Sequence, residues 1–181
     1  LDCDLLFVPS DQEMYPQDES LITYDYSECM NILEGKKRPG HFSGVITIVH
    51  KLFSLIKPDR AYFGEKDYQQ LWLIKLFTKT FKLAIEIKPC KTIRDSNGLA
   101  LSSRNKKLTR QETEHAQSLF KALDRFRFGV KEKGELDYKN FLALKNKIIE
   151  TVLCNAIIKL DYFEVIEDEN FRFVNEIKKN E

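Results

Sequence analysis

The sequence has few residues of the kinds that build metal centres and cross-linked scaffolds. Its 181 residues include three histidines and four cysteines. Cys3, Cys29, Cys90 and Cys154 form no C-x-x-C pair. That spacing argues against a zinc ribbon or a disulfide framework, and it predicts reduced, mostly buried thiols in a cytoplasmic protein. His41, His50 and His115 do not cluster either, so no metal-ligating set is assigned. A formal net charge of +1 supplies no global field for nucleic acid or an anionic membrane, and neither partner is expected. No apolar run approaches the ~20 residues that span a bilayer, and no basic-then-apolar leader opens the chain. With 43% hydrophobic and 31% charged residues, what is left is an ordinary globular composition.

Seven glycines and five prolines punctuate the chain. Leu5 to Val8 reads as a buried strand closed by Pro9, with little before it; a parallel sheet rarely opens so abruptly, which suggests upstream material. Residues 9 to 40 are largely irregular, with a short helix expected from Tyr26 to Leu33. Ser43 to Ile56 carries apolar residues at helical spacing and stops at Pro58. Arg60 to Phe63 is a predicted strand, Asp67 to Phe81 a helix, and Ala84 to Lys88 a second strand closed by Pro89. Such a unit implies a parallel pair with a right-handed crossover, and its β-branched and aromatic residues suit a sheet covered on both faces. From Arg94 the texture changes. Asp95-Ser-Asn-Gly98 is a turn signal. Thr109-Arg-Gln-Glu112 has the pattern of a capping box opening a helix to about Phe126. Gly129 and Gly134 bracket a loop, and Leu136 to Leu153 is a further helix. Leu160 to Ile166 and Phe171 to Val174 read as strands around a turn, and Asn175 to Glu181 as a frayed end. The expected fold is α/β: an incomplete Rossmann-like parallel sheet over residues 1–91, then a smaller α+β domain over 92–181.

Three clusters carry possible chemistry. In Gly64-Glu-Lys-Asp67 a strand ends at a glycine and a helix follows. Ligands of open α/β sheets bind at that edge, where the helix N-terminus favours an anion and Lys66 adds a mobile charge for phosphate. Asp67 either caps the helix or accepts a hydrogen bond from a ligand. One of Gln69 and Gln70, facing the cleft, would offer an amide to a carboxylate or hydroxyl. The second cluster, Leu101-Ser-Ser-Arg104, places two hydroxyls and a guanidinium on one loop, a set suited to triphosphate oxygens. Arg94 lies upstream, Lys106 and Lys107 extend its positive charge, and Gly98 before it would act as a hinge. In the third, Arg38-Pro-Gly-His-Phe42, a structural role for His41 is favoured, because no Asp or Ser partner is near in sequence.

These runs are specific when taken together. RPGHFSGV (38–45), PDRAYFGEKDYQQ (58–70) and TIRDSNGLALSSRN (92–105) resemble the pantothenate synthetase family (pantoate–beta-alanine ligases), within the nucleotidyltransferase superfamily. Leu33-Glu-Gly35 and Glu13-Met-Tyr-Pro16 match too, and Leu160 to Val165 resembles the family's C-terminal domain. The resemblance implies a ligase that joins (R)-pantoate to beta-alanine with ATP and Mg²⁺, through a pantoyl adenylate. It implies that Gly64, Glu65, Lys66 and Asp67 contact ATP, that Ile93 lines the adenine side, and that Gln70 binds pantoate. Leu101, Ser102, Ser103 and Arg104 would form a mobile phosphate loop. Lys66, Ser102, Ser103 and Arg104 would carry catalysis by stabilising charge on the leaving pyrophosphate. Loop closure would keep water from the acyl adenylate. A homodimer is implied as well.

The family's H-x-G-H-type motif, whose histidines stabilise the transition state, is not in this sequence, and His41 is not its equivalent. An upstream pantoate-binding glutamine and the family's terminal basic-Leu-Ile-Asp-Asn strand are not in it either. The expectation is a middle-to-C-terminal portion that holds part of the active site.

Overall fold

A computed structural model describes residues 3–16, 24, 26–153 and 158–178. The chain divides into two compact units, Leu1–Lys91 and Thr92–Glu181.

The first unit opens with α1 (Asp11–Met14), α2 (Ser27–Met30) and α3 (Leu33–Lys37). Ser10 and Glu13 close a capping box on α1: the Glu13 N–H donates to Ser10 Oγ, and the Ser10 N–H donates to the Glu13 carboxylate. The pattern S-x-x-E was legible in the sequence and was missed. The single helix expected from Tyr26 to Leu33 is broken after Met30, and Leu33 takes a left-handed φ of 49°. Next comes α4 (His41–Ile56). It begins after a left-handed Gly40 and ends at Lys57, whose N–H donates to Phe53 O. Phe42, Ile46, Val49 and Phe53 repeat every three or four residues and are its buried stripe. Leu55 and Ile56 lie outside the stripe and are exposed.

β1 (Arg60–Gly64) leads through a 3₁₀ turn (Glu65–Asp67) into α5 (Tyr68–Thr80), which crosses to β2 (Glu86–Cys90). The strands pair in parallel, from Arg60 opposite Glu86 to Gly64 opposite Cys90. β2 lies further along than expected and includes Pro89. A proline is tolerated because β2 has no second strand neighbour among the described residues to need its missing N–H. The core joins Tyr24, Met30 and the α4 stripe to Leu73, Ile74 and Phe77 of α5. Phe77 meets Tyr24 edge-on at 5.2 Å, and Tyr24 Oη lies 2.7 Å from His50 Nδ1.

Three expectations for this unit fail. Leu5 to Val8 forms no strand and pairs with no strand among the described residues, and Leu5, Leu6 and Val8 are exposed. The sheet is not covered on both faces, since Tyr62 is 66% exposed while Ala61 and Phe63 pack inward. The thiols are not mostly buried: Cys3 and Cys90 are exposed, the latter at a strand end, and Cys29 is half-buried. Cys154 lies outside the described residues.

The second unit starts with a tight hairpin-like segment (93–101) and a 3₁₀ turn (Ser103–Lys107). Then come α6 (Arg110–Lys133) and α7 (Tyr138–Leu153). The Thr109 capping box is present: the Glu112 N–H donates to Thr109 Oγ, and the Glu112 carboxylate accepts from the Thr109 N–H. α6 passes straight through Gly129, so no loop begins there. A Cβ at Gly129 would lie 3.0 Å from Leu144 Cδ1, so this glycine is a close-packing position rather than a breaker. Gly134, at φ 72°, ends the helix instead. Ala122, Phe126, Leu136, Phe141 and Ile148 form the core. The two strands expected at 160–166 and 171–174 reduce to one antiparallel bridge, Ile166 to Phe173. They find no third strand among the described residues, and the turn between them holds the buried Phe171 at φ 58°. The polar tail is pinned at Ile177, which exchanges two backbone hydrogen bonds with Leu136; residues 179–181 lie outside the description.

Candidate active site

In the first unit, the end of β1 delivers Gly64, Glu65, Lys66 and Asp67 as consecutive residues at the strand's carboxyl edge. All four are exposed. Gly64 has an extended backbone (φ −73°, ψ 133°) that any residue can adopt. A Cβ there would meet nothing nearer than the Lys66 backbone nitrogen at 4.0 Å. The protein's own packing therefore does not require glycine at this position, and the space beside it is open. Asp67 occupies the N-cap of α5, yet its side chain makes no capping hydrogen bond. Of the two roles open to Asp67, capping is not the one observed. Among the described residues, Lys66 and Asp67 have no ion pair or hydrogen-bonded side-chain partner.

The two glutamines that open α5 divide their labour. Gln69 is buried, and its amide is fully engaged. Nε2 donates to Cys29 O at 2.7 Å and to Ile32 O at 3.0 Å, while Oε1 accepts the Glu34 N–H at 3.1 Å. These bonds tie the first turn of α5 to the α2–α3 segment. Gly35 lies in the same tight packing, where a Cβ would stand 1.7 Å from Met30 O. About 100° around the helix, Gln70 is half-buried and has no side-chain partner among the described residues. A pair of adjacent glutamines in sequence could not show which was which; three half-buried backbone groups near 29–34 decide it.

His41 Nε2 accepts from Arg38 Nη1 at 3.2 Å, and Arg38 lies 3.7 Å from the Glu34 carboxylate. The sequence offered no partner for His41, because Arg38 was read only as part of a turn.

In the second unit, the Leu101 N–H donates to Ile93 O at 2.9 Å, so these two predicted residues are brought together. Both side chains are exposed. The turn between them is fixed from within. Asp95 Oδ1 accepts the N–H groups of Asn97 and Leu99, and the Gly98 N–H donates to Asp95 O. Gly98 is not a hinge. It is buried at φ 91°, and a Cβ would come within 2.1 Å of the Phe120 ring. Arg94, upstream of the loop, is engaged within the hairpin: Nη1 donates to Gly98 O at 3.1 Å, and its guanidinium carbon lies 4.5 Å from the Phe120 centroid.

Beyond the hairpin, Ser102 Oγ accepts the Arg104 N–H, and Asn105 Nδ2 donates to Ala100 O. Ser103 and Arg104 are exposed, with no side-chain partner among the described residues. An open depression of about 580 Å³ is lined by Asp95, Leu101, Ser102, Ser103, Asn105 and Lys106 among others. Its hydroxyls and cationic rim suit an oxyanion, and the one carboxylate in it has an oxygen committed to backbone N–H groups. Among the described residues, no group of three or more His, Cys, Asp or Glu side chains is placed to hold a metal ion, and no helix is long and apolar enough to cross a membrane.

A parallel strand–helix–strand unit with unpaired polar groups at its carboxyl edge, together with a separate unit carrying a serine–arginine loop, defines a two-unit α/β protein. The pantoate-beta-alanine ligase family model matches residues 1–180, and the chain belongs to that family. It is 40% identical over 175 residues to pantothenate synthetase from Caldicellulosiruptor bescii, covering 97% of this chain and 60% of that protein. The crystal structure of the enzyme from Thermus thermophilus is similar, with TM-score 0.87 and 33% identity over 97% of this chain and 62% of that one. The pantoate-beta-alanine ligase of Francisella tularensis, solved with beta-gamma ATP and beta-alanine, is 44% identical with TM-score 0.60, over 79% of this chain and 51% of that chain. The chain spans about 60% of the length of the curated relatives it matches.

Proposed function

We propose that this chain works in the ATP-dependent ligation of (R)-pantoate to beta-alanine. A pantoate carboxylate oxygen attacks the α-phosphorus of ATP, and the bond to the bridging oxygen breaks to release pyrophosphate. The beta-alanine amine then attacks the acyl carbon of the adenylate. Its C–O bond to phosphate breaks, AMP leaves and the amine loses a proton. The observation that carries this reading is the set of unpaired polar side chains at the end of β1, in a chain of this family. Among the described residues Lys66, Asp67 and Gln70 have no internal partner, and Gly64 leaves open space.

In this reading Gly64, Glu65, Lys66 and Asp67 contact ATP, and Gln70 binds the pantoate carboxylate or hydroxyl. Ile93 and Leu101 border the adenine. Ser102, Ser103 and Arg104 meet the phosphates, and with Lys66 they stabilise charge gathering on the pyrophosphate. Residues 1–91 are then the Rossmann-like nucleotide- and pantoate-binding part, and 92–181 the part that closes over the phosphates. Mg²⁺ fits as an ion carried by ATP oxygens and water, since it keeps several waters and takes few protein ligands in such sites. Bound there, it would neutralise phosphate charge. A cytoplasmic homodimer belongs to the same proposal, as the family resemblance implies.

The test is (R)-pantoate-dependent exchange of labelled pyrophosphate into ATP by the protein carrying this sequence. Exchange that requires pantoate is expected. Exchange that ignores pantoate, or that another carboxylate supports equally well, would overturn the assignment.

A further inference from the structure

An arginine eight residues before a serine–arginine phosphate loop invites the reading that it too holds phosphate. The geometry points to a different role. We infer that Arg94 is a positioning residue: through Phe120 and Gly98 it braces the hairpin that carries Ser102, Ser103 and Arg104, and it does not itself neutralise phosphate. The inference rests on the phosphate-binding role proposed above for those three residues.

The Arg94 guanidinium carbon lies over the Phe120 ring, 4.5 Å from its centroid, and Nη1 donates to Gly98 O at 3.1 Å. Covering a ring while donating to a fixed carbonyl suits arginine's rigid planar fork better than lysine's mobile point charge. Gly98 is wedged against the same ring, where even a methyl group would collide at 2.1 Å. Phe120 belongs to α6, the longest helix of the unit, which is anchored at its start by the Thr109–Glu112 capping box. The brace therefore runs from a rigid helix through Phe120 to Arg94 and the Gly98 turn. From there, the Arg94–Ala100 bridge and the hydrogen bond from the Leu101 N–H to Ile93 O pass it to the residue just before Ser102. The Arg104 guanidinium, by contrast, has no internal partner among the described residues and is left for a ligand.

Arg94→Lys, Phe120→Leu and the double variant separate the two roles. ATP affinity is measured across a salt series, and hydrogen exchange is followed at the Leu101 amide. Each single change is expected to weaken ATP about threefold to tenfold, the scale of one cation–π contact. The double variant should be no worse than the weaker single one, because both remove one brace. The slope of log affinity against log salt should match that of the parent, since no phosphate contact is lost. Leu101 exchange should quicken by a similar factor while the global thermal midpoint holds. A phosphate-contacting Arg94 would give the reverse: near-parental Arg94→Lys, silent Phe120→Leu, and a shallower salt slope wherever the charge is removed by Arg94→Ala. That result overturns the inference. If the parent itself does not bind ATP, the functional reading falls and the Leu101 amide still decides the brace. Faster exchange in both variants supports it, and unchanged exchange refutes it.

Discussion

The edge of β1 in the first unit and the serine–arginine loop in the second meet the same demand by different physics. Each holds unpaired polar side chains at the surface next to one polar side chain consumed by the fold. At the β1 edge the consumed group is Gln69, a buried neutral amide engaged by three half-buried backbone groups. At the loop it is Arg94, a cation spread over an aromatic face and one carbonyl. A buried amide network is costly to disturb because each lost partner leaves an unsatisfied group. A solvent-accessible cation–π brace is worth less and yields more readily. The contrast predicts a firm edge under Lys66 and Gln70 and a softer mount under Ser102, Ser103 and Arg104. That suits the closing and opening proposed above for this loop.

The largest effect expected from breaking either side is chemical. Lys66→Ala and Arg104→Ala should each lower pyrophosphate exchange by about 100-fold or more, as loss of one transition-state donor does, with thermal midpoints unchanged. Steady exchange in either variant would remove that residue from the site. Next comes Gln69→Leu. Stranding Cys29 O, Ile32 O and the Glu34 N–H should destabilise the first unit by about 2–3 kcal/mol, read as a shifted urea midpoint. Gly98→Ala should cost about 1–3 kcal/mol, combining a φ of 91° with a collision against Phe120. Gly64→Ala is the sharpest contrast among the glycines. It has an extended backbone and open surroundings, so stability should hold or rise by about 0.5 kcal/mol. ATP affinity should nevertheless fall, because the methyl group occupies space proposed for the nucleotide.

The smallest effect is at the cap of α6. Thr109→Ala should cost about 1 kcal/mol. The Thr109 backbone N–H first, and its hydroxyl second, hold the Glu112 carboxyl below its ordinary value. A lowered acid stabilises the fold above its ordinary pKa and loses that contribution as pH falls through the lowered value. The backbone N–H is kept in Thr109→Ala and the Glu112 N–H to Thr109 Oγ bond does not depend on protonation, so the gap between parent and Thr109→Ala should narrow on acidification below the usual carboxylate range without closing, and a gap that does not narrow would contradict the hydroxyl's hold on the carboxylate.

Much of this was legible in the sequence. The 3.6-residue apolar stripe marked α4, T-x-x-E marked the start of α6, and the strand–Gly–helix pattern marked the β1 edge. Two misses are local, the Ser10–Glu13 capping box and the Arg38 partner of His41, each three residues apart; the other failures concern partners distant in sequence. Gln69 could not be told from Gln70 without the carbonyls of residues 29 and 32. Gly98 resembled a hinge until Phe120, twenty-two residues on, was seen against it. Gly129 looked like a breaker because its fit against Leu144 is tertiary. Leu5 to Val8 has the composition of a buried strand, but burial depends on a neighbour that local pattern does not supply. Strand composition at 160–174 likewise produced only one bridge, where pairing was not extended by a third strand among the described residues.

The most direct test sets two adjacent residues against each other. Gln69→Ala and Gln70→Ala would be compared for thermal midpoint and for the (R)-pantoate concentration that half-saturates pyrophosphate exchange. The account predicts a crossed result. Gln70→Ala keeps its midpoint and needs far more pantoate, while Gln69→Ala has a lowered midpoint and, below it, saturates at the parental pantoate concentration. If Gln69→Ala instead were stable and demanded more pantoate, or if Gln70→Ala saturated like the parent, the division between internal clamp and substrate-facing amide would be wrong.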